Sequence, residues 1–210
     1  MNKYKTKIYC DIDGVLADFN GAVAELLNID LTNPYYSEYR GKLKKDIWFD
    51  KFLDGNFVWE KIEKAGHNFW ANLKLLPWAD DLVNTLNSFT GCELIFLSSP
   101  GDLTQNIYRQ RAFSRDRSYV CGLASMGKTI WCQNTFPGVP LVIAYRKELL
   151  ANPYSILIDD SIFKIEEFSK NNGKIFHWPN QYSLEDGDEE IYLTMESLKD
   201  KIGFELSKTN

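Results

Sequence analysis

The chain is short of every feature that would take it out of a reducing, aqueous compartment. It has four cysteines, Cys10, Cys92, Cys121 and Cys132, and no Cys-x-x-Cys pair among them. That scatter argues against a disulfide framework or a zinc ribbon. Cys10 and Cys92 stand beside apolar runs and read as buried thiols, so a cytoplasmic location is expected. Behind Met1 to Lys5 there is no apolar stretch long enough for a secretory leader. No run approaches the length of a membrane span, so no membrane partner is expected. Positive charge is in deficit: 24 Lys and Arg against 29 Asp and Glu give a net charge of −5. A face that follows a nucleic-acid polymer needs the opposite balance. A small phosphorylated ligand held by local groups is still allowed. There is no internal repeat and no low-complexity tract.

What is present is ordinary globular material. Hydrophobic residues make up 44% and charged residues 25% of 210 residues. That is enough for one large domain, or for a domain with a small insertion. Aromatics reach 14%, with six Trp, so the core or a binding pocket is aromatic-rich.

Compact apolar runs alternate with helical patterns. Ile8 to Cys10, Glu93 to Leu97, Val139 to Ala144, Ser155 to Ile158 and Lys174 to His177 read as strands. Pro140 cannot donate to a ladder, so its strand belongs at an edge or starts after it. Helices are expected over Asn20 to Leu27, Trp59 to Leu73 with a break at Gly66, Asp80 to Ser88, Gln105 to Phe113, Lys128 to Asn134, Ile162 to Asn171 and Met195 to Ile202. Gly173 is placed as the C-cap of the sixth of these. Residues 114–122 and Glu185 to Glu190 read as polar connections. Fully apolar strands alternating with helices predict an α/β fold with a parallel sheet covered on both faces. Residues 20–88 break the alternation and read as all helical, with short helices and dense aromatics over 28–60. They suggest a small cap inserted after the first strand.

Three of these strands end in reactive side chains: Asp11 and Asp13, Ser98 and Ser99, Asp159 and Asp160. Ligands of doubly wound sheets sit beyond the carboxyl ends of the strands. Asp11 and Asp13 lie on one side of an extended chain, and Gly14 follows where a tight turn needs freedom. Crowded carboxylates repel, and a hard cation such as Mg2+ relieves them. A solvated Asp-Gly turn is the plainer reading of the first pair alone; three strand ends together outweigh it.

The stretch Asp11-Ile12-Asp13-Gly14-Val15-Leu16-Ala17-Asp18-Phe19 resembles the first motif of the haloacid dehalogenase superfamily of phosphohydrolases. In its residues after the glycine it is similar to the 5'(3')-deoxyribonucleotidase branch. Leu97-Ser98-Ser99-Pro100 resembles the second motif, with Ser where Thr is common. Ile156-Leu157-Ile158-Asp159-Asp160 resembles the fourth. The resemblance implies a Rossmann-like core of residues 1–18 and 89–210, a helical cap over 19–88, and Mg2+ as cofactor. It implies Asp11 as nucleophile, Asp13 as general acid and base with its carbonyl on the metal, and Ser98 and Ser99 at the phosphoryl oxygens. Asp160 is implied as metal ligand, with Asp159 supporting the metal or the lysine. It places the strands ending at Cys10 and Ile158 side by side, with 93–97 on the other flank and 139–144 at the edge.

The third motif of the family is a lysine. Only Lys128 and Lys147 fall between Ser99 and Asp159. Lys147 follows the strand ending at Ala144 and is preferred; Lys128 opens a different helix. The resemblance also implies Phe19 as the aromatic that stacks on a nucleobase. Phe69 and Trp70, late in the cap, are candidates for the same slot, as are Trp48 and Phe49, although a cap of aromatics must bury most of them to fold. Arg109, Arg111, Arg115 and Arg117 read as a solvated basic stretch, and His177 as structural. The expected substrate is a deoxyribonucleoside monophosphate, in a chain that can form a homodimer. A sugar phosphate, a non-catalytic binding role, and an end-phosphatase on nucleic acid are the rivals.

Overall fold

The computed structural model describes residues 5–30, 55–100, 115–179 and 188–208. The apolar runs form five strands: β1 Thr6–Cys10, β2 Cys92–Ser98, β3 Leu141–Ile143, β4 Ser155–Asp159 and β5 Lys174–His177. All pair in parallel in the order β3-β2-β1-β4-β5. The expected flanks of β1 are therefore observed, and β3 is an edge. Pro140 lies just before β3, where its missing N–H costs no ladder bond. Its carbonyl still accepts from the Phe96 N–H at 2.8 Å.

The helices are α1 Phe19–Leu26, α2 Gly55–Ala65, α3 His67–Ala71, α4 Ala79–Asn87, α5 Arg115–Thr135, α6 Ile162–Lys170 and α7 Asp188–Ser207. Alternate strand residues face opposite sides. Ile8, Cys10, Leu94, Phe96, Ile156 and Ile158 enter one core with Leu82, Val83 and Leu86 of α4, Trp131 of α5 and Leu198 of α7. Tyr9, Ile95, Leu97 and Leu157 enter a second core with Ile165 and Phe168 of α6. The fold is α/β with a parallel sheet, as the alternation predicts, and Rossmann-like, as the resemblance implies.

Helices α1 to α3 lie between β1 and β2 in the chain, and the stretch that carries them starts and ends in a paired neck. Ala17 bridges Leu75, the Asp18 N–H donates to the Lys74 carbonyl (2.8 Å), and the Leu76 N–H donates to the Leu16 carbonyl (2.9 Å). Helix α4 follows the neck and packs against β2.

Several boundaries differ from the sequence reading. Helix α5 begins at Arg115, so residues 115–122, expected as a connection, are helical. Their mixed polar and small residues give no clean apolar stripe, which hides the helix. Helix α7 starts at Asp188, inside the acidic stretch expected as a loop. Acids suit the positive end of the helix dipole. At the end of α6 the left-handed residue is Asn172, with φ 65°. Gly173 serves packing instead: a Cβ there would collide with the Phe168 ring. The expected helix over 105–113, Arg109, Arg111, Trp48, Phe49 and most of the 28–60 stretch lie outside the described residues. The free thiols Cys10 and Cys132 are buried, and Cys92 is half-buried and free.

Candidate active site

The end of β1 delivers Asp11, whose N–H is tied to the Ile158 carbonyl of β4 at 2.9 Å. A tight loop follows. The Ile12 carbonyl accepts from the Leu16 and Ala17 N–H groups, at 2.9 and 2.8 Å. Gly14 takes a φ of 78°, a conformation that favours glycine. The loop returns Asp13 to the mouth that Asp11 faces.

Lys147 opens a short 3-10 turn, Lys147–Leu150, after β3. Its side chain is 2% exposed. The ammonium lies 2.8 Å from Asp11 Oδ1 and 2.7 Å from Asp159 Oδ2. Burial alone would push this ammonium down, but the two carboxylates outweigh it and hold the pKa above its ordinary value. Asp159 is fully buried. Its other oxygen accepts the Ser161 N–H at 2.9 Å, where α6 begins. Burial raises its pKa to about 6 against the pull of Lys147.

The end of β2 supplies Ser98, also fully buried. A second lysine meets it there. Lys128 of α5 donates to Ser98 Oγ at 2.9 Å, to the Ser99 carbonyl at 2.7 Å and to Asp13 Oδ2 at 2.5 Å. Burial raises the Asp13 pKa, with Lys128 opposing and Asp11 adding to the rise. Asp13 Oδ1 is buried and has no hydrogen-bond partner among the described residues.

The structure therefore brings Asp11, Asp13, Ser98, Ser99, Lys147, Asp159 and Asp160 to one end of the sheet. Both candidate lysines arrive, Lys147 between Asp11 and Asp159 and Lys128 between Asp13 and Ser98. Sequence reading set Lys128 aside as the start of a helix. The available signal was its position in a stripe: Ala124, Lys128, Trp131 and Cys132 share one helix face, and all four are buried. A lysine inside an apolar stripe needs acceptors, and this one has three.

Asp11, Asp159 and Asp160 each present an oxygen within 4.8 Å of the others. Hard oxygen donors this close suit Mg2+. Both Asp159 oxygens already accept hydrogen bonds, from Lys147 and Ser161. The Asp13 carboxylate faces Lys128 and is not part of this cluster. His177 Nε2 lies 3.1 Å from the Asp160 carbonyl oxygen, which braces the chain behind that acid.

The aromatics between β1 and β2 are packed on one another. Phe19 is 7% exposed and stacks on Trp70, with ring centroids 5.2 Å apart. Trp59 and the edge of Phe69 also pack on it. Trp70 is buried, and Phe69 is half-buried.

No family model and no curated protein matches the chain. Solved structures do resemble it, at low identity, and several of them are hydrolases of the haloacid dehalogenase type. One is a haloacid dehalogenase-like family hydrolase from Xanthomonas campestris. It shares 10% identity over 94% of this chain and 93% of that one, with a TM-score of 0.48. A predicted phosphatase from Clostridium acetobutylicum shares 14% identity over 95% and 99%, with a TM-score of 0.47. A putative hydrolase of the same type from Bacillus subtilis, bound to magnesium, shares 13% identity over 82% and 86%, with a TM-score of 0.43.

Proposed function

We propose that the protein is a Mg2+-dependent phosphatase of the haloacid dehalogenase type, acting on deoxyribonucleoside monophosphates through an aspartyl-phosphate on Asp11. The observation that carries this reading is the division of labour between the two first-strand acids. Asp11 is held against Lys147 and the cluster with Asp159 and Asp160. Asp13 keeps one buried oxygen without a partner among the described residues, and burial raises its pKa. One acid is thus set beside the cation and the carboxylate cluster to attack, and the other, with a buried oxygen to spare, to carry a proton.

In the first step an Asp11 oxygen bonds to phosphorus and the bond to the leaving ribose oxygen breaks. Asp13 gives that oxygen its proton. In the second, Asp13 takes a proton from water, and the water oxygen displaces Asp11 and releases phosphate. Dividing the displacement in two lowers each barrier. Lys147 and the Ser98 hydroxyl would hold the equatorial oxygens. Mg2+, bound by Asp11 and Asp160 with the Asp13 carbonyl and Asp159 behind them, would screen the repulsion between carboxylate and phosphate.

The insertion over 19–88 would act as the cap, its working part lying between the two sides of the neck. Within it Phe69 is the best placed of Phe19, Phe69 and Trp70 to meet a base, because it alone keeps appreciable exposure. The burial of Phe19 and Trp70 favours one alternative: another small phosphomonoester, such as a sugar phosphate. Phosphate release from deoxynucleotides and sugar phosphates, with and without Mg2+ and beside Asp11→Asn, separates them. Mg2+-dependent release from deoxynucleotides that is lost in the variant is expected. Release from sugar phosphates alone would keep the chemistry and discard the nucleotide. No release from either set would discard both.

A further inference from the structure

Lys128 stands where the insertion meets the sheet domain. Its ammonium has three protons, and all three have acceptors in the protein: Asp13 Oδ2, Ser98 Oγ and the Ser99 carbonyl. Its Nζ also lies 4.7 Å from the centroid of the Trp70 ring, on α3 of the insertion. The side chain is 1% exposed. A lysine so engaged has no proton left for an incoming phosphate. Its effect on Ser98 is directional. An oxygen that accepts from an ammonium must send its own proton elsewhere, and no described residue accepts that proton.

The contact between α3 and α5 is unusually close. Gly127, beside Lys128, has no room for a side chain: a Cβ would run into the His67 carbonyl oxygen and the Trp70 Cβ. One turn further on, Trp131 Nε1 donates to the Leu73 carbonyl at 2.8 Å. Helix α5 thus grips the returning limb of the insertion on both sides of Lys128.

Resting on the phosphatase reading above, we propose that Lys128 is a positioning residue: clamped beneath Trp70, it fixes the Asp13 carboxylate and turns the Ser98 hydroxyl proton towards the phosphoryl site. Packing of α3 on α5 then becomes a condition of turnover, because it seats the ammonium that holds Asp13 and Ser98. The cation–π contact shields the ammonium from water, and a misplacement of about 1 Å at such a site costs about 100-fold in rate.

The test uses the full chain with lysine labelled at its side-chain nitrogen. Wild-type protein should give a slowly exchanging ammonium resonance displaced by the Trp70 ring current. Lys128→Met should delete it, and Trp70→Leu should keep it but return it to its ordinary position. In phosphate release, Lys128→Met should lower kcat about 100-fold while KM moves less than about threefold. Trp70→Phe, which keeps an aromatic face, should recover most of what Trp70→Leu loses. Trp70→Leu should lose activity, and the double variant Lys128→Met/Trp70→Leu should be no worse than Lys128→Met alone. A rise in KM with kcat unchanged would make Lys128 a substrate ligand and overturn the proposal. So would losses that multiply in the double variant. An active wild type with no ring-shifted ammonium would overturn the clamp alone. A ring-shifted ammonium in a protein that releases no phosphate would overturn the phosphatase reading, and the catalytic role of Lys128 with it.

Discussion

Lys147 shows how much one buried side chain can hold together. It neutralises Asp11 and Asp159 at once, from 2.8 and 2.7 Å. Removing it leaves two carboxylates crowded and unpaired, a change that costs about 3–5 kcal/mol when one partner of a buried pair is lost. Lys147→Met should therefore lower the stability of the metal-free protein by that order, read as a lower urea midpoint with an unchanged slope. Mg2+ should recover part of the loss, because a cation supplies the missing positive charge. A midpoint equal to wild type in EDTA would show that the pair adds nothing to folding. The arrival of Lys147 at the strand ends was legible from its place after the third strand. That of Lys128 was not, because its three acceptors come from two different strand ends.

At the scale of elements, the packing of α3 on α5 depends on an absent side chain. Gly127→Ala would force a methyl group into the His67 carbonyl and Trp70. Overpacking of this kind costs about 1–3 kcal/mol, and here the strain falls on the contact that seats Lys128. The expected outcome is a lower melting temperature together with reduced phosphate release. Ala substitution at Gly122, five residues earlier on the same helix, meets nothing within 4 Å. It should be neutral or stabilising by about 0.4–1 kcal/mol. Equal effects at the two sites, measured by thermal melts, would mean that helix propensity decides and close approach does not. Helix α5 also marks a limit of pattern reading. Its second half carries a buried stripe and was anticipated from Lys128 onward, while its first half shows no periodicity and was not. Gly173 is a parallel case at the end of α6: a glycine anticipated there for conformation is needed for space, and Asn172 takes the left-handed turn.

For the whole molecule, the site is a store of unfavourable charge whose cost depends on pH. Asp159 has a pKa near 3.9 in an unfolded chain and about 6 in the fold. Between those values the native state binds more protons than the unfolded state, so this group makes stability fall as pH rises. In EDTA the melting temperature should be higher near about pH 5 than near about pH 7, as far as Asp159 governs it. Asp159→Asn should flatten that slope. With Mg2+ the sign reverses, because the cation binds the charged carboxylates: stabilisation by Mg2+ should grow as pH rises through about 6 and reach about 2.7 kcal/mol at one hundred times its dissociation constant. A slope identical in wild type and Asp159→Asn would remove Asp159 as its source.

The amino-acid sequence by itself determined the α/β class, that the Pro140 strand lies at an edge or starts after the proline, and the acids that end β1 and β4. Each is a local matter: apolar runs of strand length bury themselves, and a proline cannot complete a ladder. Tertiary structure decided which side chains serve the site and how. It buried Phe19 and Trp70 in a mutual stack, gave Asp159 to Lys147, and brought Lys128 to Asp13 across 115 residues of chain. No local pattern encodes such a meeting. It follows from two helices packing closely enough, over a single glycine, to carry a charge into the core where only the far ends of two strands can satisfy it.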